Sequence, residues 1–441
     1  MFEATTNRYN HSLDELLPLQ LQAIQERFDE QRSTNSVLAH RADKLKIERL
    51  TDLADVVPLL FAHTLYKSYP ESFLNNGRWD KMTSWVNTLS SAKVGAVDLS
   101  DVQDIDGWMA RLWESGNYIT SSSGTSGKCS FLNLTTEFER DAAVTDFIRL
   151  VGDIAGVAAR SDRAAFLLGP SRGLPRMVHF LHRFAEAFGR PDAHYFLSDA
   201  PLTTVGLSRM VNLARAMAEG RATPSDIAEN EAHAKQTQER SAKELDSLID
   251  AVLKHREEPS VFVGFPFLYW MIMQNLQARG IERLDLHNDT VLAISGGLKR
   301  ASLPEDYQEQ LTRFFNVEPS KVVRGYSQTE ITGGMWPFCA ARRYHCPPWV
   351  VLFILDESGE ILLNPTEGMV NGRVASFDTL TSSHWGGIVS GDNVDADFSP
   401  CDCGRPGPTI TNIARYSDLQ GGDDKLTCSG SMDTYVRGIV E

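Results

Sequence analysis

Four short apolar runs constrain this chain more than any other feature of its sequence. They are "RAAFLLGP" from Arg163, "SVFVGFP" from Ser260, "DTVLAISGG" from Asp289 and "SKVVRGYSQTE" from Ser320. Each is rich in β-branched or large apolar residues, each is too short for a helix, and each stops at a Gly or Pro turn. Polar stretches of helical character lie between them. The longest runs from about 203 to 257, with "TPSD" at Thr223 as its helix start. Strand followed by helix, repeated, predicts an α/β fold with a buried sheet and with sites at the strand ends.

The flanking segments differ. Residues 1–112 read as a helical N-terminal segment, with apolar positions at helical spacing in "LDELLPLQLQAIQERF" and in the run from Leu45 to Leu74. "TTEFERDAAVTDFIRLVGDIAGVAA" predicts an amphipathic helix, with Thr136 and Glu139 at capping-box spacing. Beyond about residue 345 the helical signal fades. "WVVLFILDESGEILLNP" predicts a β-hairpin turning at "DESGE", and "GMVNGRVASFDT" continues a β-rich section. The expected division is 1–112, a core domain 113–415 with its β-rich part at about 338–410, and a terminal piece 416–441.

With 441 residues, of which 42% are hydrophobic, the chain affords a large core without disulfide staples. A net charge of −15 and the lack of a long basic run argue against a nucleic-acid partner. The most apolar window, Ser260 to Met273, is too short to cross a bilayer, so no membrane partner is expected. The first twenty residues carry neither a basic start nor an apolar signal segment, which places the expectation in the cytoplasm.

The chemistry centres on "YITSSSGTSGKCSFLNLT", a hydroxyl- and glycine-rich loop between two short β-like runs. It is not a Walker loop: Ser122 stands where the first Gly belongs and Cys129 follows Lys128 in place of Ser or Thr. A plain Ser/Gly turn accounts for it equally well. Small hydroxyls and backbone N–H groups nevertheless suit the wrapping of phosphates.

Ser-Ser-Gly-Thr-Ser-Gly-Lys between two strands resembles the phosphate loop of the adenylate-forming superfamily, which includes acyl-CoA synthetases, adenylation domains and firefly-type luciferases. Three further pieces follow in that family's order: "SGG" at Ser295–Gly297, "GYSQTE" at Gly325–Glu330 and "SGDNV" at Ser390–Val394. The resemblance spans roughly 110–430 and implies that family's large N-terminal domain, with strand–helix layers and a β-rich subdomain. It implies that Ser122, Ser123, Gly124, Thr125, Ser126 and Gly127 hold the phosphates of ATP, with Lys128 closing the loop as a catalytic residue. Ser295, Gly296 and Gly297 would line the adenine and acyl pocket, and Tyr326 and Ser327 would lie near the adenine. Thr329 would contact the α-phosphate side, Glu330 would bind Mg²⁺, and Asp392 would bind the ribose hydroxyls. Ser327 departs from that family's Gly. Each piece also has a bland reading: Asp392 as a turn residue, Glu330 as a surface charge, Tyr326 as a core aromatic.

The cysteines add a second theme. "FCAARRYHCPPW" carries Cys339, His345 and Cys346, and "CDCGRPGPTI" carries Cys401 and Cys403. Soft ligands in two clusters suggest tetrahedral zinc, against the alternative of scattered reduced thiols. "CDCGRPGPTI" resembles a segment of phenylacetate-CoA ligase-like proteins, which implies a structural zinc on Cys339, His345, Cys401 and Cys403. Cys346 competes with His345 for the third position.

The chain departs from that family at its end. "GGDDKL" resembles the hinge segment before the small C-terminal domain, and little follows it. That family's hinge arginine does not align, and Arg405 or Arg415 are its candidates. Acyl-protein synthetases are similar in stopping early, which makes Cys428 a candidate acyl acceptor, against a simpler reading as a buried thiol. The implied activity is AMP-forming activation of a carboxylic acid, aryl or medium-size apolar, in a pocket lined by Phe265, Pro266 and Phe267. A thiol acceptor would follow: CoA, an acyl or peptidyl carrier protein, or a protein cysteine. The alternatives are an amido synthetase with an amine acceptor, and a nucleotide-binding protein without catalysis.

Overall fold

In the computed structural model, the described residues are 8–122, 128–206, 213, 216–217, 223–297, 302–419, 426 and 429–440. They fall into two compact units. One gathers 1–122, 130–143 and 328–441; the other comprises 123–129 and 144–327. These units cut the chain differently from the linear division at 112 and 415 expected above, because the first unit is assembled from both ends of the chain.

The second unit holds the anticipated sheet. The strands Gly189–Leu202, Arg163–Gly173, Ser260–Gly264, Val291–Ser295 and Val322–Tyr326 run in that spatial order, each parallel to the next. The four apolar runs supply the four consecutive strands from Arg163–Gly173 to Val322–Tyr326. Their side chains pack into a core that includes Phe166, Phe262, Tyr269, Ile272 and Phe315, all at or below 1% exposure. Gly189–Leu202 and the helix Arg176–Phe188 before it were not expected. The strand "GRPDAHYFLSDAPL" carries Pro and Asp and lies at the edge of the parallel order, where a missing donor or a charge is tolerated. The polar helix Pro224–Lys254 begins just after Thr223, as expected.

The first unit combines N-terminal helices with an antiparallel sheet. Its strands run Tyr344–His345, Thr409–Arg415, Gly387–Asp397, Met369–Asp378 and Val350–Leu355, and Phe61–Ala62 pairs in parallel with Gly387–Asp397. Trp85, Trp108, Trp385, Phe28, Phe61 and Phe131 are fully buried in it. The predicted "DESGE" turn is present, with Asp356 accepting from the backbone N–H groups of Glu360 and Ile361 at 2.9 Å each. The second arm of that hairpin is not a strand. It is held by a single antiparallel bridge, Leu355–Leu362, and by Leu363 N–H to Ile354 O (2.8 Å), after which the Asn364 side chain bonds the backbone of Ile354 (2.6 Å) and Leu352 (2.8 Å) and Pro365 follows. The strand Val350–Leu355 pairs instead with Met369–Asp378.

The helix Glu137–Ala155 starts as expected, with Glu139 N–H donating to Thr136 Oγ1 at 3.1 Å. The Glu139 carboxylate does more than cap. It is buried, and it accepts from Ser382 N (2.6 Å), Ser383 N (2.9 Å) and the hydroxyls of Thr381 and Ser383. Burial raises this carboxyl, but the hydrogen bonds from Ser383 and Ser382 outweigh it and bring it from 4.5 down to about 2. Because the folded value is depressed, the stabilisation is complete above about 4.5 and is lost as pH falls through about 2. Glu139→Gln is expected to remove on the order of 3 kcal/mol at neutral pH. It should also flatten the acid limb of a urea-melt series between pH 5 and pH 2, to about that extent. A variant with an unchanged acid limb would show that this carboxylate contributes nothing to acid stability.

Among the described residues no helix is long and apolar enough to cross a membrane.

Candidate active site and metal centre

The two strands that flank the hydroxyl-rich loop, Tyr118–Ser121 and Phe131–Leu134, pair antiparallel. Ser122 extends the ladder: its N–H donates to Ser130 O (3.1 Å), and its Oγ accepts from Ser130 N (2.8 Å). The base of the loop is therefore fixed. Ser123, Gly124, Thr125, Ser126 and Gly127 lie outside the described residues, as do Cys428 and most of "GGDDKL". Lys128 is half-buried at the end of the loop.

Ser130 also reaches a motif 200 residues away. Its Oγ donates to Glu330 Oε1 at 3.0 Å. Glu330 sits in a turn closed by Ile331 N–H to Gln328 O (3.3 Å), and Thr329 precedes it, half-buried. The buried phenol of Tyr66 is pushed well above its ordinary range, first by burial and then by the Glu330 charge. Tyr66 donates to Trp385 O at 3.3 Å. Glu330 is thus partly enclosed and in contact with the strand that closes the loop.

Asp392 is not in a strand-end turn, as expected, but in the middle of Gly387–Asp397. It stands opposite Arg415 in the ladder, beside a register shift between Asn393 and Asp395. As direct partners in the ladder the two side chains meet, with Arg415 Nε 3.0 Å from Asp392 Oδ1. Asp392 is only 6% exposed and Arg415 is 60% exposed, so one side of the pair remains open to a solute. The Asp392 N–H donates to Ser390 Oγ (3.1 Å). Arg405, the other arginine candidate, is elsewhere: its guanidinium lies 5.3 Å from the Tyr9 ring, and its charge acts on His345.

In the second unit, Ser295 ends its strand and Gly296 adopts φ +77, a conformation that favours glycine. The Phe265 ring occupies the space where a side chain at Gly296 would go. Phe265 lies parallel to Phe267, with 5.9 Å between centroids. Pro266 is the first residue of the helix Pro266–Ala278, whose Tyr269 donates to Ala293 O (2.9 Å). The segment "GFPFLYW" therefore has two faces: Leu268 and Tyr269 are buried in the core, whereas Phe265 and Phe267 are half-buried against the Gly296 turn. Gly297 is exposed beyond the turn, Tyr326 is half-buried at its strand end, and Ser327 is exposed.

The cysteine clusters meet in the first unit. The ligand atoms of Cys339, His345, Cys401 and Cys403 all lie within 4.8 Å of one another. Cys339 Sγ and Cys401 Sγ are 3.8 Å apart, and Cys403 Sγ is 3.2 Å from His345 Nε2. Two tight turns build this cage. Cys339 N–H bonds Arg343 O (3.0 Å), and Cys401 N–H bonds Arg405 O (3.0 Å). Gly404, at φ +90, lets the second turn close. His345 is delivered by the short pairing of Tyr344–His345 with Thr409 and Ile410. Cys346 is not in the cluster; its thiol donates to Val350 O at 3.2 Å. Burial, then the charges of Arg405 and Arg343, hold His345 at about 4, so its imidazole is neutral and able to ligate. Burial and the neighbouring thiols push Cys401 upward, a cost that a bound dication offsets. Three thiols and one imidazole fit tetrahedral zinc.

Sequence reasoning did not single out Ser130, Asp378, Tyr66 or the Glu139 acceptor role. Ser130 closes the quoted loop as one more hydroxyl, and the others are isolated polar residues with no spacing to mark them.

No family model and no curated protein matches this chain. Among solved structures, it is similar to ATP-bound MatB from Rhodopseudomonas palustris, with a TM-score of 0.39 and 14% identity over 68% of this chain and 48% of that one. It is also similar to a fatty acyl CoA synthetase of Mycobacterium tuberculosis, with a TM-score of 0.37 and 14% identity over 68% and 48%. The N-terminal subdomain of Klebsiella oxytoca NpsA gives a TM-score of 0.34 and 10% identity over 73% and 66%. The chain thus spans about half the length of the first two. At this level of overlap no side chain is placed by a neighbour's.

Proposed function

We propose that this protein activates a carboxylic acid at the expense of ATP, forming an acyl-adenylate and pyrophosphate, and that a thiol then attacks the acyl carbon to form a thioester as the acyl–phosphate bond breaks and AMP leaves. The observation that carries the reading is the 3.0 Å bond between Ser130, at the base of the hydroxyl-rich loop, and Glu330 of "GYSQTE". Ser130, which closes the loop, and Glu330 are 200 residues apart in sequence and meet within the first unit. Asp392, open on one side and steadied by Arg415, suits a pair of ribose hydroxyls.

In this reading the loop from Ser122 to Lys128 receives the phosphates, and Thr329 contacts the α-phosphate. Glu330 supplies a carboxylate to Mg²⁺, a hard cation that prefers oxygen. Magnesium, when bound, neutralises charge on the departing pyrophosphate. Ser295, Gly296, Gly297, Tyr326 and Ser327 take the adenine, and Phe265, Pro266 and Phe267 take an aryl or medium-size apolar acid. One carboxylate oxygen attacks the α-phosphorus, and the bond from that phosphorus to the bridging oxygen of pyrophosphate breaks. Alignment and charge neutralisation carry the rate. The Cys339–His345–Cys401–Cys403 cluster is assigned a structural zinc, with all four positions filled by protein.

The test is carboxylate-dependent ATP–pyrophosphate exchange with Mg²⁺ and no acceptor, over a panel of aryl and fatty acids. Exchange with one class of acid is the expected result and names the substrate. ATP binding without exchange for any acid would replace this reading with that of a nucleotide-dependent binder.

A further inference from the structure

The first unit contains a second buried carboxylate, Asp378, at the end of the strand Met369–Asp378. It is fully buried, and the nearby Glu139 charge adds to what raises its carboxyl. Its Oδ2 accepts from the Thr332 N–H at 2.6 Å, its Oδ1 accepts from Leu380 N–H at 2.9 Å, and the Gly333 N–H also bonds it. Burial raises this carboxyl and the hydrogen bonds pull against that. A carboxylate kept in such a place is costly unless its acceptors are used. Here Leu380 takes one of the three bonds and the other two go to one short segment, Thr332–Gly333, which begins two residues past Glu330.

Glu330 is therefore held from two directions. Ser130 Oγ bonds its carboxylate directly (3.0 Å), and Asp378 anchors the backbone that follows it. The anchor is itself fixed. Residues Thr381–Ser383, just beyond Asp378, are bonded to Glu139, and Ser383 Oγ also takes the Thr135 N–H at 2.9 Å. Thr135 immediately follows the strand Phe131–Leu134 that begins beside Ser130. A closed circuit of hydrogen bonds thus links the base of the loop, the Glu330 turn and the Asp378–Ser383 segment.

We infer that Asp378 is a positioning residue, which sets the Glu330 carboxylate for the nucleotide-bound metal by fixing the Thr332–Gly333 backbone. This rests on the proposed role of Glu330 as a metal ligand. Partners that orient a ligating group from behind govern metal affinity without touching the metal.

The test measures the metal rather than turnover. Mn²⁺ is titrated into the protein with ATP and followed by electron paramagnetic resonance, for the unaltered protein, Asp378→Asn and Glu330→Gln. ATP affinity is measured separately in EDTA. Asn keeps the shape of Asp378 but only one acceptor oxygen, so it is unable to serve Thr332 and Leu380 together. Asp378→Asn is expected to weaken Mn²⁺ by about 10- to 100-fold, the usual range for outer partners of a metal site. ATP affinity in EDTA should stay the same. Asp378→Ser, smaller and neutral, serves where the Asn variant does not fold, with the same expectation. A lowered Tm with unchanged Mn²⁺ affinity in Asp378→Asn, while Glu330→Gln loses Mn²⁺, would overturn the positioning role alone. Unchanged Mn²⁺ affinity in Glu330→Gln would overturn both this inference and the metal role of Glu330.

Discussion

Glu330→Gln should cut acid-dependent ATP–pyrophosphate exchange by at least about 100-fold, in line with removal of one preorganised electrostatic contact to a transition state. The substitution is mild structurally. Gln keeps an oxygen able to accept from Ser130 Oγ, now 3.0 Å from Glu330 Oε1, and the turn from Gln328 to Ile331 is closed by backbone atoms. Tm should therefore stay close to that of the unaltered protein. What is lost is the negative charge. Raising Mg²⁺ should restore little, because the missing ligand and not the metal supply limits the rate. Exchange that survives within a few-fold would remove Glu330 from the chemistry.

Cys401→Ser should empty the metal centre and destabilise the first unit. One zinc per chain is expected in the unaltered protein by elemental analysis, and none in the variant. A structural zinc is worth about 10 kcal/mol where the ligands are not otherwise held together. Half of that, at about 2–4 °C per kcal/mol, lowers Tm by about 10–20 °C. Cys346→Ser is the matched control. Its thiol bonds Val350 O and stands apart from the cluster, so zinc content should not change. Full zinc content in Cys401→Ser, or loss of zinc in Cys346→Ser, would refute the ligand set.

Ser260–Gly264 and Val291–Ser295 were legible because a strand buried on both faces is an uninterrupted apolar run, whereas Val322–Tyr326 carries Arg324, alternates in burial and is marked only by its two valines and the turn after them. The edge strand Gly189–Leu202 was not legible, since an edge position tolerates Pro191 and Asp192 that argue against a strand anywhere else. The two soft-ligand clusters were legible from their chemistry, whereas the set Cys339, His345, Cys401 and Cys403 came from the resemblance, with Cys346 competing with His345. That competition turns on which of two adjacent side chains the two-residue pairing with Thr409 and Ile410 directs at the cluster. At the candidate active site the motifs showed Glu330 and Asp392, while their partners are lone residues made neighbours by the fold. Arg415 meets Asp392 through strand register, and Asp378 meets Thr332 across 46 residues. Asp392 itself was expected at a strand end and lies within a strand, because Ser-Gly-Asp is equally at home beside a β-bulge.

The first unit is stitched from the two ends of the chain, which has a consequence during synthesis. Tyr9 donates to Met335 O, Gln20 to Pro348 O and the Trp385 indole to Leu59 O, the first across 326 residues. The strand Phe61–Ala62 pairs with residues 388–389. None of these contacts exists until the ribosome has made the distal partner. At about 5–20 residues per second, that leaves the N-terminal helices waiting for roughly 15–65 s. Phe28, Leu59 and Phe61, all buried in the finished unit, are meanwhile without their C-terminal neighbours. The inserted parallel-sheet unit is continuous from 144 to 327 and has its own core, so it is placed to fold first on the nascent chain.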